Sequence, residues 1–546
     1  MNWKKRLLTL TLTLGLLGTA LAGCTQPAGD SAGSPSPSAS GAPEASPSAS
    51  APAESATGEK VDGGTLIMCE PTDISSLNIL YETGDEGMTM LKPVYDPLYI
   101  VSKDGVRYYL AESHQVSEDG LTITVKLREN LKWHDGEPIT TEDVLWYFEM
   151  KMNPDNNSSG GTKVNGEPVQ VAAVDEYTFT VTLPSVSASY EATLGNLKLL
   201  PKHVYEDTPV LVGAEINSTS GVGSGPFKVK EWNKGESLVL ERFDDYYRGP
   251  ASLESVVFKI IPNASTEEIA FQNGELSVLR LTTQDMLEKY SNDPNYSVYS
   301  LTEGRINYMG FNSNSPLTSD PKVREAICLA LNVDEIIAGA YGSTELAPAA
   351  KTVFCPSNLY YSDVEGYSQD LERARELIAE TGIEGETFRL VYNSSRENME
   401  NCALMIQQQL KAVGLNVEIQ GYETQGFFEV FFYTDAGDWE LGLNGYSTNG
   451  DNQGDEYMFS LEGFLSKNLC STDEIAALWN EGDATTDPEE RAAIYKEIQE
   501  QIRDAYTMFP LTSPNFVVAT DKRLKGVDAI DMVPLFEDYL NLYMTN

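Results

Sequence analysis

The sequence predicts an α/β fold divided among two or three subdomains, and three observations lead to that prediction. Residues 121–127 and 177–183 alternate apolar and polar side chains, which is the pattern of half-buried strands. From Phe388 a strand leads into an amphipathic helix and then into an alternating strand that carries Leu415 and Val417. Such a unit normally joins parallel strands through a right-handed crossover. About 480 residues follow the N-terminal segments, and one hydrophobic core rarely serves so many.

The first 23 residues have the features of an export signal. Three cations at positions 4–6 precede an apolar run over 7–22, which is shorter than the roughly 20 residues that span a bilayer. The run ends in small residues followed directly by Cys24. Because this ending resembles the lipobox of bacterial lipoproteins, we expect cleavage before Cys24 and attachment of a diacylglycerol to its thiol. The alternative is a cysteine that follows the signal by chance.

Residues 24–62 are rich in Ser, Pro, Ala and Gly and contain almost no large apolar side chain. Because such a segment cannot form a core, it is predicted to be a disordered tether. A tether of this kind would carry the folded part across a thick wall, which favours a Gram-positive cell. We therefore expect the protein on the outer face of the cell membrane.

The charge of the chain excludes several partners. The formal net charge is −44, and removal of the signal would take it to about −47. Nucleic acid is not expected as a partner, because its phosphates would be repelled. Anionic lipid headgroups would be repelled as well, so membrane attachment is expected only through the lipid anchor.

Three helix starts can be recognised from their first residues. Thr140 or Thr141 begins a helix with acidic residues in its first turn. Asp320 and Asp487 are each followed by proline, which favours the first helical position. We therefore predict helices from these positions, the last with isoleucines four residues apart on one face.

The cysteines do not form a recognisable metal or redox motif. Beyond Cys24 the chain has Cys69, Cys328, Cys355, Cys402 and Cys470. None shows C-x-x-C spacing, and only three histidines accompany them, so neither a metal nor another cofactor is expected. Cys402 lies on the apolar stripe of a predicted helix and is interpreted as a core residue. A disulfide between cysteines of the exported chain is the alternative, and the sequence does not assign its partners.

Short motifs recur along the folded chain in one order. They are Leu110-Ala111-Glu112-Ser113, residues 133–138, Pro201-Lys202-His203, residues 223–229 with Trp232, Asp245-Tyr246-Tyr247, Gly310-Phe311-Asn312, Val323-Arg324-Glu325-Ala326 and residues 487–511. Their order and spacing resemble the solute-binding family that includes the oligopeptide- and dipeptide-binding proteins of ABC importers. Each motif is weak alone, but together they cover the whole folded chain.

The resemblance implies a two-lobed periplasmic-binding-protein-like fold with an extra subdomain inserted in the first lobe. It places lobe I at 63–305 with the insertion at about 98–197, lobe II at 306–510, and a return to lobe I at 511–546. The chain would then cross between the lobes near Arg305 and near Pro510. His134 is interpreted as a turn residue of this scaffold rather than a catalytic or metal-binding group.

The resemblance also implies where a ligand binds. Peptide-binding members carry a Gly-Trp-x-x-Asp segment whose acid receives the amino group of the ligand, and the matching segment here is Gly445, Tyr446, Ser447, Thr448 and Asn449. Asn449 stands where the acid would be, and Asp451 lies two residues further on.

Residues 412–466 contain ten acidic residues and no Lys, Arg or His. We predict a ligand whose cationic group is held by Asp451 and whose carboxylate, if present, is held by the other lobe. The alternative is a solvated acidic face.

Other cleft positions follow from the same resemblance. Thr83, Gly84 and Asp85 would line the cleft from lobe I, and Tyr308 would line it at the crossing. Tyr308 and Tyr446 can supply broad apolar walls with a hydroxyl at the edge. The alternative for both is an ordinary core position.

No motif of a known catalytic class occurs in the sequence. It lacks H-E-x-x-H, a P-loop and G-x-S-x-G. The resemblance implies a monomeric, non-enzymatic receptor that binds a solute, most readily a peptide, and delivers it to permease subunits of an ABC importer. A nickel complex, an opine or a saccharide is the alternative ligand within the family. The rival from another class is a lipid-anchored surface hydrolase with an acid pair.

Overall fold

The structure is a computed structural model. It describes residues 59–546 except 83–84, 159, 397, 434–437, 449, 462–467 and 530–537. The predicted signal, Cys24 and all but the last residues of the predicted tether lie outside this part of the chain. Within it, every helix is too short or too polar to cross a bilayer.

The first part of the described chain, residues 59–302, forms most of lobe I. Its strands are β1 (Lys60–Val61), β2 (Thr65–Glu70), β3 (Tyr99–Ser102), β4 (Gly105–Tyr108), β5 (Ala111–Val116), β6 (Thr122–Leu127), β7 (Lys163–Val164), β8 (Glu167–Pro168), β9 (Gln170–Ala173), β10 (Thr178–Thr182), β11 (Phe227–Asn233), β12 (Ser237–Arg242), β13 (Ser255–Ile260), β14 (Val278–Arg280) and β15 (Tyr296–Thr302). Its helices are α1 (Asp85–Leu91), α2 (Thr141–Met152), α3 (Tyr190–Gly195), α4 (Lys202–Tyr205), α5 (Ile216–Thr219), α6 (Ala264–Gln272) and α7 (Gln284–Ser291).

Lobe II and the returning segment complete the fold. The strands of lobe II are β16 (Arg305–Phe311), β17 (Thr387–Asn393), β18 (Asn416–Tyr422), β19 (Leu441–Ser447) and β20 (Met508–Thr512). Its helices are α8 (Pro321–Ala330), α9 (Val333–Ala340), α10 (Leu371–Thr381), α11 (Met399–Ala412), α12 (Thr424–Phe428), α13 (Asp473–Ala484) and α14 (Pro488–Asp504). The chain then returns to lobe I with β21 (Asn515–Asp521), β22 (Leu524–Lys525) and β23 (Tyr543–Thr545).

The sheets show how the chain is shared between the lobes. Lobe I contains the sheets β11-β12-β13-β2 and β14-β21-β15, and lobe II contains β18-β17-β19-β16-β20. Strand β15 belongs to the first lobe and β16 to the second, so the chain crosses at residues 303–304. It crosses back at 513–514, between β20 and β21, a few residues beyond the predicted Pro510. The two-lobed α/β prediction is confirmed.

The inserted subdomain is a small antiparallel sheet with a helix. Its strands are ordered β5-β6-β10-β9, and α2 packs beside them. The inward side chains Ile123, Val125 and Leu127 are buried in the same apolar core as Leu66 and Phe258 of the lobe I sheet. The insertion is therefore continuous with lobe I.

The predicted helix starts and the predicted strand, helix, strand unit are found in the structure. Thr140 is the N-cap of α2 and forms a capping box with Asp143. Asp320 and Asp487 cap α8 and α14, each with proline at the start of the helix. Strands β17 and β18 flank α11 and pair in parallel, as the strand, helix, strand pattern indicated.

His134 has a structural role. Its Nε2 donates to the carbonyl oxygen of Gly225 at 3.0 Å, and its Nδ1 accepts from the amide of Gly223 at 3.1 Å. Burial lowers the pKa of this histidine to about 4, so the ring is neutral and holds the 223–225 turn.

The five cysteines of the described chain are unpaired. Cys328, Cys355, Cys402 and Cys470 are buried, and Cys402 lies on the apolar face of α11 as predicted. In the described residues, His, Cys, Asp and Glu side chains do not converge on any arrangement that could hold a metal ion.

A candidate ligand-binding cavity between the lobes

A cavity of about 1360 Å³ lies between the two lobes. Both lobes line it, and so do Glu303, Gly304 and Pro514 of the two crossings. Pockets for drug-sized ligands usually measure about 300–1,000 Å³. The space therefore suits a ligand larger than a single amino acid.

The carboxyl ends of parallel strands face this cavity. In lobe I, β2 and β13 are parallel, and the residues at or just after their ends, Glu70, Pro71 and Ile261, line the cavity. In lobe II, β17 is parallel to β19, and Arg396 and Thr448 follow the ends of these strands. Open α/β sheets bind ligands in this location, because side chains and loops converge there without disturbing the sheet.

Charges of both signs line the cavity in nearly equal number. The cations are Lys103, Arg107, Arg280, Arg305 and Arg396, and the acids are Glu70, Asp104, Glu267, Glu268, Glu303 and Asp528. The whole chain has 38 cations and 82 acids, so the cavity is enriched in positive charge relative to the chain as a whole. This balance suits a ligand that carries both an anionic and a cationic group.

Arg396 is a cavity cation whose guanidinium is unpaired among the described residues. It is partly exposed, lines the cavity from lobe II, and its guanidinium has no hydrogen bond or ion pair with any described residue. By contrast, Arg280 pairs with Glu303 at 3.2 Å and lies over the ring of Phe516. An unpaired guanidinium in a cavity is suited to bidentate binding of a carboxylate.

Ser447 and Thr448 line the cavity where the resemblance placed them. The amide of Thr448 donates to the carbonyl oxygen of Gly304 at 2.7 Å, and its hydroxyl donates to the same oxygen at 3.0 Å. Asn358 donates to the Thr448 hydroxyl at 3.1 Å. The cavity wall at Thr448 is thus tied directly to the first crossing between the lobes.

Gly445, Tyr446 and Tyr308 do not line the cavity. Tyr308 and Tyr446 are buried in an apolar core of lobe II, with their ring centroids 5.7 Å apart. The Tyr446 hydroxyl donates to the carbonyl oxygen of Val353. At Gly445 a Cβ atom would lie 2.3 Å from the side-chain oxygen of Asn307, so the strand approaches too closely for a side chain. In this structure the two tyrosines are core residues rather than aromatic walls.

Asp451 does not offer a free carboxylate. Its side chain is 7% exposed and accepts from Arg491 at 2.7 and 3.0 Å. Arg491 also donates to the carbonyl oxygen of Gly482 and to the hydroxyls of Tyr360 and Tyr495. These bonds use all five donors of the guanidinium, so the pair is internally satisfied. The structure therefore disagrees with the hypothesis that Asp451 holds the cationic group of a ligand.

The remaining predicted positions are described only in part or not at all. Thr83, Gly84 and Asn449 lie outside the described residues. Asp85 begins α1, and only its backbone belongs to the described part of the chain. These four positions stay predictions.

The cavity residues that sequence reasoning missed are mainly Arg396, Arg280 and several sulfur-containing side chains. Met68, Cys69, Met88, Met286 and Met399 all line the cavity. Burial, together with the nearby Glu267 carboxylate, raises the pKa of Cys69, so the thiol stays protonated. Methionines are flexible and polarisable, which allows them to pack against apolar groups of different shapes. The strand-end rule could have indicated Arg396, because it follows a predicted strand closely.

The fold and the cavity define a two-lobed solute-binding protein, and comparison with known proteins identifies the family. The family described as "Bacterial extracellular solute-binding proteins, family 5 Middle" matches residues 105–464. The chain therefore belongs to the bacterial extracellular solute-binding proteins of family 5. This family consists of binding proteins rather than enzymes.

Individual relatives resemble nearly the whole chain. The oligopeptide-binding protein AppA of Bacillus subtilis is 26% identical over 498 residues, which are 87% of this chain and 90% of that protein. The structure of the ABC transporter substrate-binding protein CtaP of Listeria monocytogenes has a TM-score of 0.84 and 32% identity, covering 89% of this chain and 100% of that one. The periplasmic binding protein DppA of Helicobacter pylori in complex with the peptide STSA has a TM-score of 0.74 and 25% identity, covering 89% and 99%.

Proposed function

We propose that the protein is the lipid-anchored extracellular receptor of an ABC importer, and that it captures peptides between its two lobes. The observation that carries this proposal is the interlobe cavity of about 1360 Å³, in which Arg396 is unpaired among the described residues. The relatives named for oligopeptide or peptide binding support the same ligand class.

A peptide fits the chemistry of the cavity. It carries a cationic amino group, an anionic carboxylate and a repeating polar backbone. The cavity presents acids and cations in near balance, while its methionines offer adaptable apolar surface. Arg396 is the group proposed to bind the carboxylate, which assigns that role to lobe II rather than to lobe I.

Ligand capture is proposed to proceed by hinge closure. The lobes are connected at residues 303–304 and 513–514, and Gly304 has a φ of 64°, a conformation that glycine adopts without strain. A ligand that touches both lobes favours the closed form and shifts the population toward it. The permease would then recognise the closed, loaded form.

The location of the protein is part of the same proposal. Cys24 would carry the lipid anchor, residues 24–62 would act as the tether, and the folded part would work as a monomer outside a Gram-positive cell. Mass spectrometry of the N-terminal peptide should find residues 1–23 removed and a diacylglycerol attached to Cys24. An unmodified Cys24, or a chain that retains residues 1–23, would contradict the anchor.

A thermal melting assay tests the ligand class. A peptide at one hundred times its Kd should stabilise the fold by about 2.7 kcal/mol. Synthetic peptides of different length should be compared with a nickel–histidine complex, an opine and an oligosaccharide. Stabilisation by one of the latter compounds alone would replace the peptide assignment, and recovery of cleaved rather than intact peptide would favour a hydrolase.

A further inference from the structure

The inserted subdomain contacts lobe II at a site outside the cavity and away from both crossings. The contact joins residues 187–189, which precede α3, to the C-terminal end of α13. Close by, a Cβ atom on Gly120 would lie 3.3 Å from the Thr486 side chain, so the turn before β6 also packs against lobe II. Neither Ser189 nor Asp483 lines the cavity.

Asp483 provides the acceptors of this contact. Its Oδ1 accepts from the amide of Ser189 at 3.1 Å and from the Ser189 hydroxyl at 2.6 Å. Its backbone carbonyl accepts from the amide of Ala188 at 2.7 Å. That carbonyl belongs to the last turn of α13, where no amide of the same helix can reach it. Opening of the lobes would therefore transfer all of these groups to water.

We propose that Asp483 and Ser189 are positioning residues that hold the lobes closed, and that they set the affinity for every ligand by the same factor. The proposal rests on the hinge closure described above. Because the contact touches no cavity residue, it favours the closed form without discriminating between ligands. Charge-assisted hydrogen bonds such as those of Asp483 are stronger than neutral ones, which makes the contact large enough to measure.

Affinity measurements on matched variants test this inference. Asp483→Ala should weaken the binding of each peptide about tenfold, mainly through faster dissociation, because two hydrogen bonds to a carboxylate are lost. The probes are several synthetic peptides that stabilise the wild-type protein in the melting assay. Glu481→Ala, an exposed position on the same helix, is the control and should leave affinity unchanged.

A rescue variant separates this role from a general loss of structure. Ser189→Asp should weaken binding by placing a second carboxylate against Asp483. Asp483→Asn in the same chain should restore binding, because the amide can donate to the new carboxylate. The unfolding of the unliganded protein should be unchanged in all variants. Unchanged peptide affinity in Asp483→Ala, a loss limited to some peptides, or no rescue would overturn the inference.

Interlobe distance distinguishes failure of the inference from failure of the proposed function. Fluorescence transfer between labels at Glu167→Cys and Glu474→Cys, two exposed positions, reports the lobe separation. The native cysteines are retained, and the protein without the two added cysteines serves as the labelling control. The wild-type pair should close with peptide, and the Asp483→Ala pair should close less at equal peptide concentration. If the wild-type and Asp483→Ala pairs close equally, the inference is overturned and the proposed function is not. No closure of the wild-type pair with any probe would overturn the proposed function, and the inference with it.

Discussion

At the residue scale, Arg396 connects the cavity to the ligand class. It follows β17 at the edge of the sheet where ligands of α/β proteins bind, and the described residues leave its guanidinium unpaired. Arg280, another cation of the cavity lining, is already paired with Glu303. We therefore propose Arg396 as the partner of a ligand carboxylate.

Replacement of Arg396 tests this role. Arg396→Gln should lower the affinity for a peptide with a free C-terminus by about 10- to 100-fold, because a charge-assisted bidentate contact is lost. The same peptide with an amidated C-terminus should bind both proteins equally in calorimetry. Arg375→Gln, an exposed arginine of α10, serves as the control. Equal loss for the free and the amidated peptide would contradict the assignment.

A buried carboxyl group in lobe I makes stability depend on pH. Asp96 is 4% exposed and accepts from the hydroxyls of Tyr246 at 2.6 Å and Tyr247 at 2.9 Å. Burial raises its pKa from 3.8 to about 7, although the tyrosines and the nearby Arg248 oppose that rise. The folded protein thus binds this proton more tightly than the unfolded chain does. Its contribution to stability is complete at low pH and is lost as pH rises toward 7.

Asp96→Asn should remove this dependence. Between pH 5 and pH 8 the wild-type protein should lose about 3 kcal/mol of unfolding free energy that the variant does not lose. The reason is that the Asp96 pKa of about 7 lies about two units above pH 5, and each unit is worth about 1.4 kcal/mol. Denaturant unfolding of both proteins across that range measures the difference. Parallel pH curves for the two proteins would contradict a raised Asp96 pKa.

At the element scale, the Asp451–Arg491 pair joins residues 450–451 to α14. The guanidinium lies 4.8 Å from the Tyr360 ring centroid and 5.2 Å from that of Tyr495, and both charged side chains are almost fully buried. The charge of Asp451 therefore stabilises the packing of residues 450–451 against α14. Removing one partner of a buried ion pair lowers stability more than replacing both partners by apolar residues does.

Removal of one partner should destabilise the protein strongly. Asp451→Ala should lower the unfolding free energy by about 3–5 kcal/mol, because Arg491 is left charged and buried. Arg491→Met with Asp451→Leu should recover much of that loss, since no charge remains. Equilibrium unfolding of the single and double variants measures both effects. A stable Asp451→Ala protein that has lost only ligand binding would instead support the original role of Asp451.

The same scale shows what the sequence could predict. Helix starts at Thr140, Asp320 and Asp487 were correct, because capping chemistry is local. The tyrosines were not placed correctly, because every residue of β16 is buried and alternation cannot indicate which face meets a cavity. The partner of Asp451 was missed because Arg491 lies 40 positions further along the chain.

At the scale of the whole molecule, two lobes share one chain that crosses twice between them. Short motifs in a fixed order were sufficient to predict this architecture, because they resemble a family whose solved members compared above share the fold of this chain. The cavity-lining side chains were harder to predict, because they come from many strand ends and converge only in the folded protein. Thr448 of the cavity wall donates to the carbonyl oxygen of Gly304, so the wall and the first crossing are in direct contact.

Small-angle X-ray scattering with and without a bound peptide tests the central claim most directly. The account predicts that the radius of gyration falls when a peptide shown to bind is added at saturation, and that the peptide is recovered intact. Superimposable scattering curves for the free and the saturated protein would contradict capture by closure of the two lobes.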